Sequence, residues 1–309
     1  MSAAPPSRPP LGRVPRSSKA GRLNRFFAAR GQPSKRAGEH RLPLGPAHAL
    51  LGGLLDALLP QTCVACERWT ASGELAACPA CRAALEVTRA LPYCHRCART
   101  MSPFSIHEKG CARCQREPFW NVAGLARGGE YRNETLRRLL VGLKFTGSER
   151  QADYLGALLA AAIRKKAWLT ELDALVPVPM HRLRRWQRPG EHARLLAEAV
   201  SRRLGVPVRR AAVRRVKYSI SQTRTLSSAE RFRNVRDCFG PARKPKITGK
   251  TVCIIDNLLV SGATIHEVSK VLRKAGAKRI YAAVVARTTL PGDPQPQLEP
   301  LTPPPDQPD

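Results

Sequence analysis

Acidic residues, aromatic residues and long apolar runs are all scarce in this 309-residue chain. No apolar run approaches the roughly 18–20 residues that a membrane-spanning helix requires, so we expect no membrane span. The basic N-terminus is not followed by the apolar core of a secretory signal, which predicts a cytoplasmic protein. The hydrophobic fraction of 43% is still sufficient for folded cores. A chain of this length favours about two domains.

The shortage of acids leaves a large positive charge. Lysine and arginine number 53 against 23 acidic residues, which gives a formal net charge of +30. Such an excess favours phosphate-bearing partners, although charge alone gives only sequence-independent affinity for nucleic acid. Arginine far outnumbers lysine, as a GC-rich genome would produce, so solvated surface charge is the competing explanation. Single-stranded DNA is therefore a candidate partner, and the composition does not indicate an oligomeric state.

Composition divides the chain into four predicted parts. Residues 1–47 are rich in Pro, Arg, Gly and Ser, and residues 291–309 are Pro-rich and acidic. Both segments are predicted to be disordered, the first as a basic arm. Residues 48–118 begin with a short apolar helix predicted over Ala49 to Leu59 and contain eight of the ten cysteines. Residues 119–290 alternate strand and helix patterns.

Cys-x-x-Cys pairs are the strongest pattern in the second part. There are four of them: Cys63/Cys66, Cys78/Cys81, Cys94/Cys97 and Cys111/Cys114. Both thiolates of a pair can reach one ion, and two pairs complete a tetrahedral shell of four thiolates suited to zinc. We predict two structural Zn²⁺ sites paired in chain order, with crossed pairing as the alternative. A disulfide framework is disfavoured without a secretion signal, and four repeated pairs do not fit one thioredoxin-like redox pair.

A strand, a turn of small residues and a helix follow one another around residue 256. Val252 to Ile255 is an apolar, β-branched run that predicts a buried strand, which Asp256 and Asn257 are expected to end. Ser261 to Thr264 form the turn, and apolar residues recur at helical spacing from Ile265. Backbone amides and a helix N-terminus in this arrangement favour a bound phosphate.

Strand and helix patterns alternate through the rest of the fourth part. Further strands are predicted at Val122 to Ala126, Leu172 to Val178, Pro207 to Val213 and Ile280 to Ala286. Helices are predicted around Leu136 to Leu143, Arg150 to Lys166, Glu191 to Leu204 and Leu226 to Val235, the last with a Ser227/Glu230 capping box. The alternation predicts an α/β fold with a mostly parallel sheet flanked by helices, whose ligand crevice lies at the carboxyl ends of the strands.

Ile254 to Thr264 resembles the signature of type I phosphoribosyltransferases. The resemblance implies that the turn holds the 5′-phosphate of phosphoribosyl pyrophosphate (PRPP) and that the preceding acids face the ribose hydroxyls. This sequence departs from the pattern at Asn257, where the family has a second acid, and at Val260-Ser261 in the turn. The implied PRPP-binding residues are Asp256, Asn257, Val260, Ser261, Gly262, Ala263 and Thr264.

Residues 49 to 289 together are similar to the ComF family of competence-associated proteins. Besides the cysteine array and the PRPP-type turn, the shared motifs include Leu143-Lys-Phe145 and Val176-Pro-Val-Pro179. The resemblance implies a double zinc ribbon joined to a phosphoribosyltransferase-like domain, with a role in DNA uptake and single-strand processing during natural transformation. It also implies a pyrophosphate loop made of Val178, Pro179, Met180, His181 and Arg182. The chain departs from its relatives at Arg188 to His192.

Three functions remain open at this point. The first is binding of PRPP or a related sugar phosphate in DNA handling, and the second is an active phosphoribosyltransferase that uses PRPP with Mg²⁺ and a nucleobase. The third is a non-catalytic nucleic-acid-binding module built on the zinc ribbons. Asn257 counts against turnover, because it lacks the charge that favours a cationic transition state. The sequence identifies no catalytic residue.

Overall fold

A computed structural model describes residues 62–70, 76–105, 110–116, 122–181, 191–217, 227–243 and 245–289. All of them belong to one compact unit, residues 56–309. The predicted basic arm, the helix at Ala49 to Leu59 and the tail lie outside these ranges. Within the ranges, no helix combines the length and the apolarity needed to cross a bilayer.

Four parallel strands form the main sheet. They are β1 (Gly124–Glu130), β2 (Ala174–Pro177), β5 (Thr251–Leu259) and β6 (Arg279–Arg287), in the spatial order β1-β6-β5-β2. Two short antiparallel strands, β3 (Val213–Arg215) and β4 (Phe239–Pro241), pair separately. The predicted α/β class with a parallel sheet is therefore confirmed.

Helices cover both faces of this sheet. In chain order they are α1 (Pro79–Ala90), α2 (Ala112–Arg116), α3 (Glu134–Thr146), α4 (Glu149–Arg164), α5 (His192–Leu204), α6 (Ser228–Val235) and α7 (Ala263–Lys274). Alternate side chains of β5 point to opposite faces, as the pleat of a strand requires. Cys253 and Ile255 pack in the cluster that contains α4 and α5, whereas Val252 and Ile254 pack in the cluster that contains α7. Burial on both faces explains the unbroken apolar run in this strand.

Capping residues that the sequence predicted are found at two helix ends. Ser227 and Glu230 form the predicted capping box at the start of α6. Gly147 ends α3 in the left-handed conformation at φ 65°, and its amide donates to the Leu143 carbonyl at 3.1 Å. Glycine has no Cβ to oppose that conformation, which is why it stops the helix there.

Besides β1, which spans Gly124–Glu130 where Val122 to Ala126 was predicted, two predicted strands differ from the structure. β5 continues through Asp256 and Asn257 to Leu259, because β6 pairs with it as far as Arg287. The strand predicted at Pro207 to Val213 is wrong. Only Val208 forms a bridge there, to Leu175, and the next strand begins at Val213. The pairing partners, which lie far away in the sequence, decide both outcomes.

The cysteine-rich segment covers the outer edge of β1. The Leu125 amide donates to the His95 carbonyl at 2.7 Å, and the Glu130 amide donates to the Thr88 hydroxyl at 2.8 Å. These bonds satisfy polar groups that an edge strand would otherwise leave open to pairing with another chain. The cysteine-rich segment and the sheet are therefore packed together along β1.

Two buried charged residues of β1, Arg127 and Glu130, lie where the cysteine-rich segment packs against this strand. The Arg127 guanidinium donates to the Ala98 carbonyl at 2.8 Å and lies 3.8 Å from the Glu130 carboxylate. Glu130 also accepts hydrogen bonds from Thr100 and Arg132. Burial lowers the pKa of Arg127 to about 10, against the opposing attraction of Glu130. Arg127 stays charged at neutral pH, so removing Glu130 would leave a buried charge without its counter-ion.

Candidate functional site

The predicted sugar-phosphate site lies at the carboxyl edge of the sheet. β2 pairs with β5 up to Pro177 and Ile255, and the next amide, that of Val178, donates to the Ile255 carbonyl at 3.0 Å. This bond holds the start of the predicted pyrophosphate loop beside Asp256. Two segments that are far apart in the sequence are thus neighbours at one edge, as parallel strands require.

The turn after β5 exposes a helix N-terminus. Gly262 adopts the left-handed conformation at φ 86° and precedes the first residue of α7, Ala263. The Ala263 amide lies 3.4 Å from the Ser261 hydroxyl oxygen, and the His266 amide donates to the Gly262 carbonyl at 2.9 Å. The N-cap residue, Gly262, has no side chain that could cap the helix, and the Ser261 hydroxyl accepts only from the first amide, that of Ala263. The amides of this helix start and its partial positive charge are therefore directed towards the turn, which suits an anion.

Asp256 is the single carboxylate of the predicted cradle. It lies on β5, is half-buried, and accepts a hydrogen bond from the Asn257 amide at 2.8 Å. Burial raises the pKa of Asp256 to about 7, against the smaller opposing effects of the Asn257 amide and the positive charge of Arg215. A carboxyl group with this pKa changes its charge near neutral pH, and in the ionised form both of its oxygens are acceptors, whereas in the protonated form one of them carries a donor O–H.

The other predicted residues follow in order around this edge. Asn257, Val260, Ser261 and Thr264 are half-buried, whereas Gly262 and Ala263 are buried. Val178, Pro179, Met180 and His181 are half-buried in the segment after β2. Arg182, the last residue of the predicted pyrophosphate loop, lies outside the described residues, as do Arg184, Arg185 and Arg188.

Arg215 has an electrostatic effect on Asp256, although the sequence did not single it out. It ends β3, pairs with Phe239 of β4, and holds its guanidinium 5.2 Å from the centre of the Phe239 ring. Its charge acts on Asp256. In the sequence it appears as one arginine at the start of a basic stretch, and no spacing signal distinguishes it from Arg214.

The cysteines form two four-cysteine groups in chain order. Cys63, Cys66, Cys78 and Cys81 make the first group, and Cys94, Cys97, Cys111 and Cys114 make the second. Sulfur atoms lie 3.8 Å apart between Cys66 and Cys78, and 3.7 Å apart between Cys94 and Cys114. Zinc bonds of about 2.3 Å in a tetrahedron set sulfur atoms about 3.8 Å apart, whereas a disulfide brings them to about 2.05 Å. The geometry therefore fits two structural zinc ions.

The two groups are copies of one design. Glu67 at φ 63° and Ala98 at φ 57° each follow the first cysteine pair of their group. The Cys78 amide lies 3.3 Å from the Cys63 sulfur, and the Cys111 amide lies 3.3 Å from the Cys94 sulfur. Amide donors of this kind stabilise the thiolate that a metal requires.

The three residues that follow the first cysteine pair of each group, called the ribbon tip below, have different surroundings in the two copies. Ala98, Arg99 and Thr100 of the second copy are buried against β1. The equivalent residues of the first copy, Glu67, Arg68 and Trp69, are exposed, and Trp69 keeps 73% of its surface accessible. The tip of the second ribbon therefore packs against β1, and the tip of the first ribbon faces solvent.

Two family descriptions match the chain. "Double zinc ribbon domain" matches residues 54–117, and "Phosphoribosyl transferase domain" matches residues 190–301. The first match covers both four-cysteine groups. The second covers α5 to β6, including the turn at Gly262, and with the parallel sheet it supports the predicted phosphoribosyltransferase-like fold.

Curated bacterial proteins are related to this chain in sequence. Competence protein F of Haemophilus influenzae is 31% identical over 212 residues, which cover 67% of this chain and 90% of that protein. DNA utilization protein YhgH of Escherichia coli is 27% identical over 234 residues, which cover 74% and 98% of the two chains.

The solved structures with some similarity include phosphoribosyltransferases. Adenine phosphoribosyltransferase from Thermoanaerobacter pseudethanolicus is 17% identical, and the match covers 47% of this chain and 83% of that chain. Its TM-score is 0.30, a value at which the superposition does not bear on the fold. The fold rests on the strand order and on the two family matches.

Zinc content tests the pairing of the cysteines. We expect two zinc ions per wild-type chain, measured by atomic emission on purified protein. A Cys63→Ser/Cys81→Ser variant disrupts one site when pairing follows chain order and should keep one zinc ion. Cys63→Ser/Cys111→Ser disrupts both sites and should keep none. Cys238→Ser, at a buried cysteine outside both groups, should keep two. Loss of both ions from the first variant would contradict chain-order pairing.

Stability against pH tests the environment of Asp256. Because the native pKa is about 7 and the unfolded value is about 3.9, the native protein holds an extra proton between them. The contribution of this group to stability is therefore full below about pH 4 and is lost as the pH rises through about 7. Asp256→Asn removes this loss, so its melting temperature relative to that of the wild type should rise as the pH goes from about 5 to about 7 and stay level above about pH 8.

Thermal denaturation of the zinc-loaded proteins measures this difference. The matched control is Asp173→Asn, since the Asp173 carboxylate accepts the Thr251 amide at 2.8 Å at the amino end of β5. We expect its difference from the wild type to stay nearly constant over the same range. A constant difference for Asp256→Asn as well would show that the Asp256 carboxyl is not perturbed.

Proposed function

Because this chain belongs to the ComF family of competence-associated proteins, we propose that it binds PRPP or a related sugar phosphate and acts in the handling of incoming single-stranded DNA. One observation carries the first half of this proposal. A half-buried carboxylate and a helix N-terminus whose N-cap residue is glycine lie on consecutive segments at the carboxyl ends of the strands, at Asp256 and Gly262. A ribose with a 5′-phosphate offers the hydroxyls and the anion that these two groups would bind.

The phosphate is proposed to bind at the turn. Amides from Ser261 to Thr264 and the N-terminus of α7 supply donors and partial positive charge. The departures from the family signature in this turn affect side chains, whereas a cradle of this kind depends on main-chain amides. Val260 and Ser261 therefore do not prevent phosphate binding.

The ribose is proposed to bind at Asp256. Its ionised carboxylate would accept hydrogen bonds from two neighbouring hydroxyls, and the Asn257 side chain would add one polar contact. The Val178 to His181 segment, held next to Asp256 by the bond to Ile255, would face the pyrophosphate. Mg²⁺ would reach the site bound to the pyrophosphate, because the described residues around Asp256 form no cluster of acids and histidines that could hold it.

Turnover of PRPP is the less favoured alternative. Cleavage of the ribose–pyrophosphate bond develops positive charge on the sugar, and a second carboxylate would stabilise that charge. Asn257 occupies that position with a neutral side chain. We therefore propose binding with little or no transfer to a nucleobase, and the residues described supply no group that we assign as a general base.

The zinc ribbons have a structural role in this proposal. The second four-cysteine group packs in a small cluster whose other apolar member is Met101, so bound zinc would supply much of the folding free energy there. None of the ten cysteines forms a disulfide in the structure. Thiolate ligands persist in a reducing compartment, which supports the proposed cytoplasmic location.

Calorimetric titration with PRPP and Mg²⁺ tests the sugar-phosphate site. Asp256→Asn should weaken binding about tenfold, the loss of one charge-assisted contact of roughly 1.4 kcal/mol. Ser261→Asp should abolish binding, because its carboxylate repels phosphate although it suits a helix N-terminus and leaves the fold intact. Asp173→Asn, at the opposite edge of the sheet, is the control and should bind like the wild type. Equal affinities in all four proteins would remove the proposed site.

The exposed tip of the first ribbon is the proposed contact for single-stranded DNA. Trp69 offers a flat aromatic face next to Arg68, and base stacking on such a face contributes roughly 1–3 kcal/mol. Trp69→Ala should therefore weaken binding of a labelled oligonucleotide by about tenfold in fluorescence anisotropy. Phe145→Ala removes another exposed aromatic side chain, on α3, and should leave the affinity within about twofold.

Measuring the oligonucleotide affinity at several salt concentrations provides a second test of this contact. A phosphate-driven complex loses affinity steadily as the salt concentration rises. Arg68→Ala should make this loss shallower, whereas Trp69→Ala should lower the affinity at every salt concentration by a similar factor. Salt-independent binding, or equal losses for Trp69→Ala and Phe145→Ala, would exclude the first ribbon tip as the contact.

A further inference from the structure

The cysteine sulfurs of the two zinc ribbons differ in their exposure to solvent. In the first group, Cys66 and Cys78 are half-buried, and their sulfur atoms lie 3.8 Å apart. The equivalent residues of the second group are Cys97 and Cys111, whose sulfur atoms lie 3.7 Å apart. These two side chains keep only 5% and 1% of their surface exposed. The same arrangement of two sulfurs therefore occurs twice, accessible to a small solute in the first ribbon and shielded from it in the second.

The two ribbons also differ in how far their folding depends on a metal. Three apolar residues of the first ribbon are buried in the core cluster that contains α4: Val64, Ala65 and Ala77. The Gln151 side chain of α4 donates to the Val64 carbonyl at 3.0 Å. The second group has Met101 as the other apolar member of its own small cluster. The first ribbon would therefore stay attached to the fold after losing its zinc, whereas the second would not.

The half-buried Cys66 is directly followed by the tip of the first ribbon, Glu67 to Trp69. Backbone bonds tie this tip to the first cysteine pair. The Cys63 amide donates to the Arg68 carbonyl at 2.8 Å, and the Glu67 amide donates to the Cys63 carbonyl at 2.9 Å. A change in the metal shell at Cys63 and Cys66 would therefore alter the residues that present Trp69 to solvent.

We propose that Cys66 and Cys78 are an oxidation site, at which a peroxide forms a disulfide, displaces the zinc of the first ribbon and weakens the binding of single-stranded DNA at Trp69. The consequence for DNA rests on the proposed function, whereas the oxidation does not. The equivalent pair of the second ribbon is protected by burial, so its zinc is retained and β1 stays covered.

The oxidation balances with a peroxide as the oxidant. One thiolate of the pair attacks a peroxide oxygen, becomes a sulfenic acid and releases hydroxide. The other thiolate attacks the sulfenic sulfur, forms the S–S bond and expels a second hydroxide, and each hydroxide takes up a proton to form water. The sulfurs of Cys66 and Cys78 approach from 3.8 Å to about 2.05 Å. Only Cys63 and Cys81 then remain as thiolates, and two ligands do not make a structural zinc site.

Zinc release from the full-length, zinc-loaded protein tests the oxidation site. Hydrogen peroxide is added in the presence of the coloured zinc indicator 4-(2-pyridylazo)resorcinol, and a sample without peroxide is the blank. We expect one zinc ion per chain to be released at least about tenfold faster than the other, because burial shields the second group. Peptide mapping by mass spectrometry should identify a Cys66–Cys78 disulfide, and dithiothreitol with added zinc should reverse the change.

Matched histidine variants identify the responsible pair. Cys78→His removes one partner of the disulfide and leaves three thiolates and an imidazole, a ligand set that zinc accepts. This variant should lose the fast phase of zinc release. Cys111→His, the equivalent change in the second group, should keep the fast phase at the wild-type rate. Zinc content before oxidation establishes that each variant is loaded, and if either is not, the peptide map of the wild type decides between the two pairs.

Fluorescence anisotropy with the labelled oligonucleotide tests the consequence for DNA binding. The oxidised wild type should bind about tenfold more weakly than the reduced protein, as Trp69→Ala does, and reduction with added zinc should restore the affinity. An unchanged affinity after oxidation, together with a loss for Trp69→Ala, overturns the proposed effect on DNA binding.

The remaining outcomes separate the oxidation site from the function. Release of both zinc ions at one rate, or a first disulfide other than Cys66–Cys78, overturns the oxidation site. If reduced Trp69→Ala binds the oligonucleotide like the wild type, the proposed DNA contact fails, and zinc release and the peptide map still decide the oxidation site.

Discussion

The candidate site depends on the burial of one strand. β5 is covered by helices on both faces and paired with β2 and β6 on both edges, so its polar residues have access to ligands only where its neighbours end. Pairing with β2 stops at Ile255, one residue before Asp256. The carboxylate therefore emerges at the carboxyl edge, beside the segment after β2 and ahead of the α7 N-terminus. Burial at the same place raises the pKa of Asp256, so one constraint sets both its position and its charge.

The second ribbon packs against another part of the same sheet, along the outer side of its terminal strand, β1. β1 would present an open edge, and the His95 and Ala98 carbonyls together with Thr88 and Thr100 cover it. A zinc-bound turn is well suited to this task, since metal ligands hold its backbone rigid with little apolar core. The first ribbon has the same backbone conformation, but its tip does not pack against β1. Both ribbons therefore pack on the fold, the second along β1 and the first in the core cluster that contains α4, but only the turn of the first, at Glu67 to Trp69, faces solvent.

Charge distinguishes this site from one built around a metal. In the proposed site, Asp256 and Asn257 stand where the family signature carries a pair of acids. Such a pair would bind a phosphorylated sugar together with the helix amides, and it would offer less stabilisation to a cationic transition state. These groups are the basis for proposing a binding protein in preference to an efficient transferase.

The sequence determined those features that depend on local spacing or on burial of a whole strand. Cys-x-x-Cys spacing indicated both four-cysteine groups, and the apolar run at Val252 to Ile255 indicated a buried parallel strand. Small residues before Ile265 indicated the anion-binding turn. Each signal works because neighbours in the chain must also be neighbours in a knuckle, a strand or a helix end.

Only the tertiary structure decided what depends on distant partners. The extension of β5 to Leu259 required β6, and the loss of the strand predicted at Pro207 to Val213 reflected missing pairing beyond Val208. Arg215 and Arg214 are indistinguishable in the sequence, yet the pairing of β3 with β4 leaves Arg215 half-buried over the Phe239 ring and Arg214 exposed to solvent. The two ribbon tips likewise share one backbone design, and only contact with β1 makes them different. Long-range packing fixes these outcomes, and no local pattern records it.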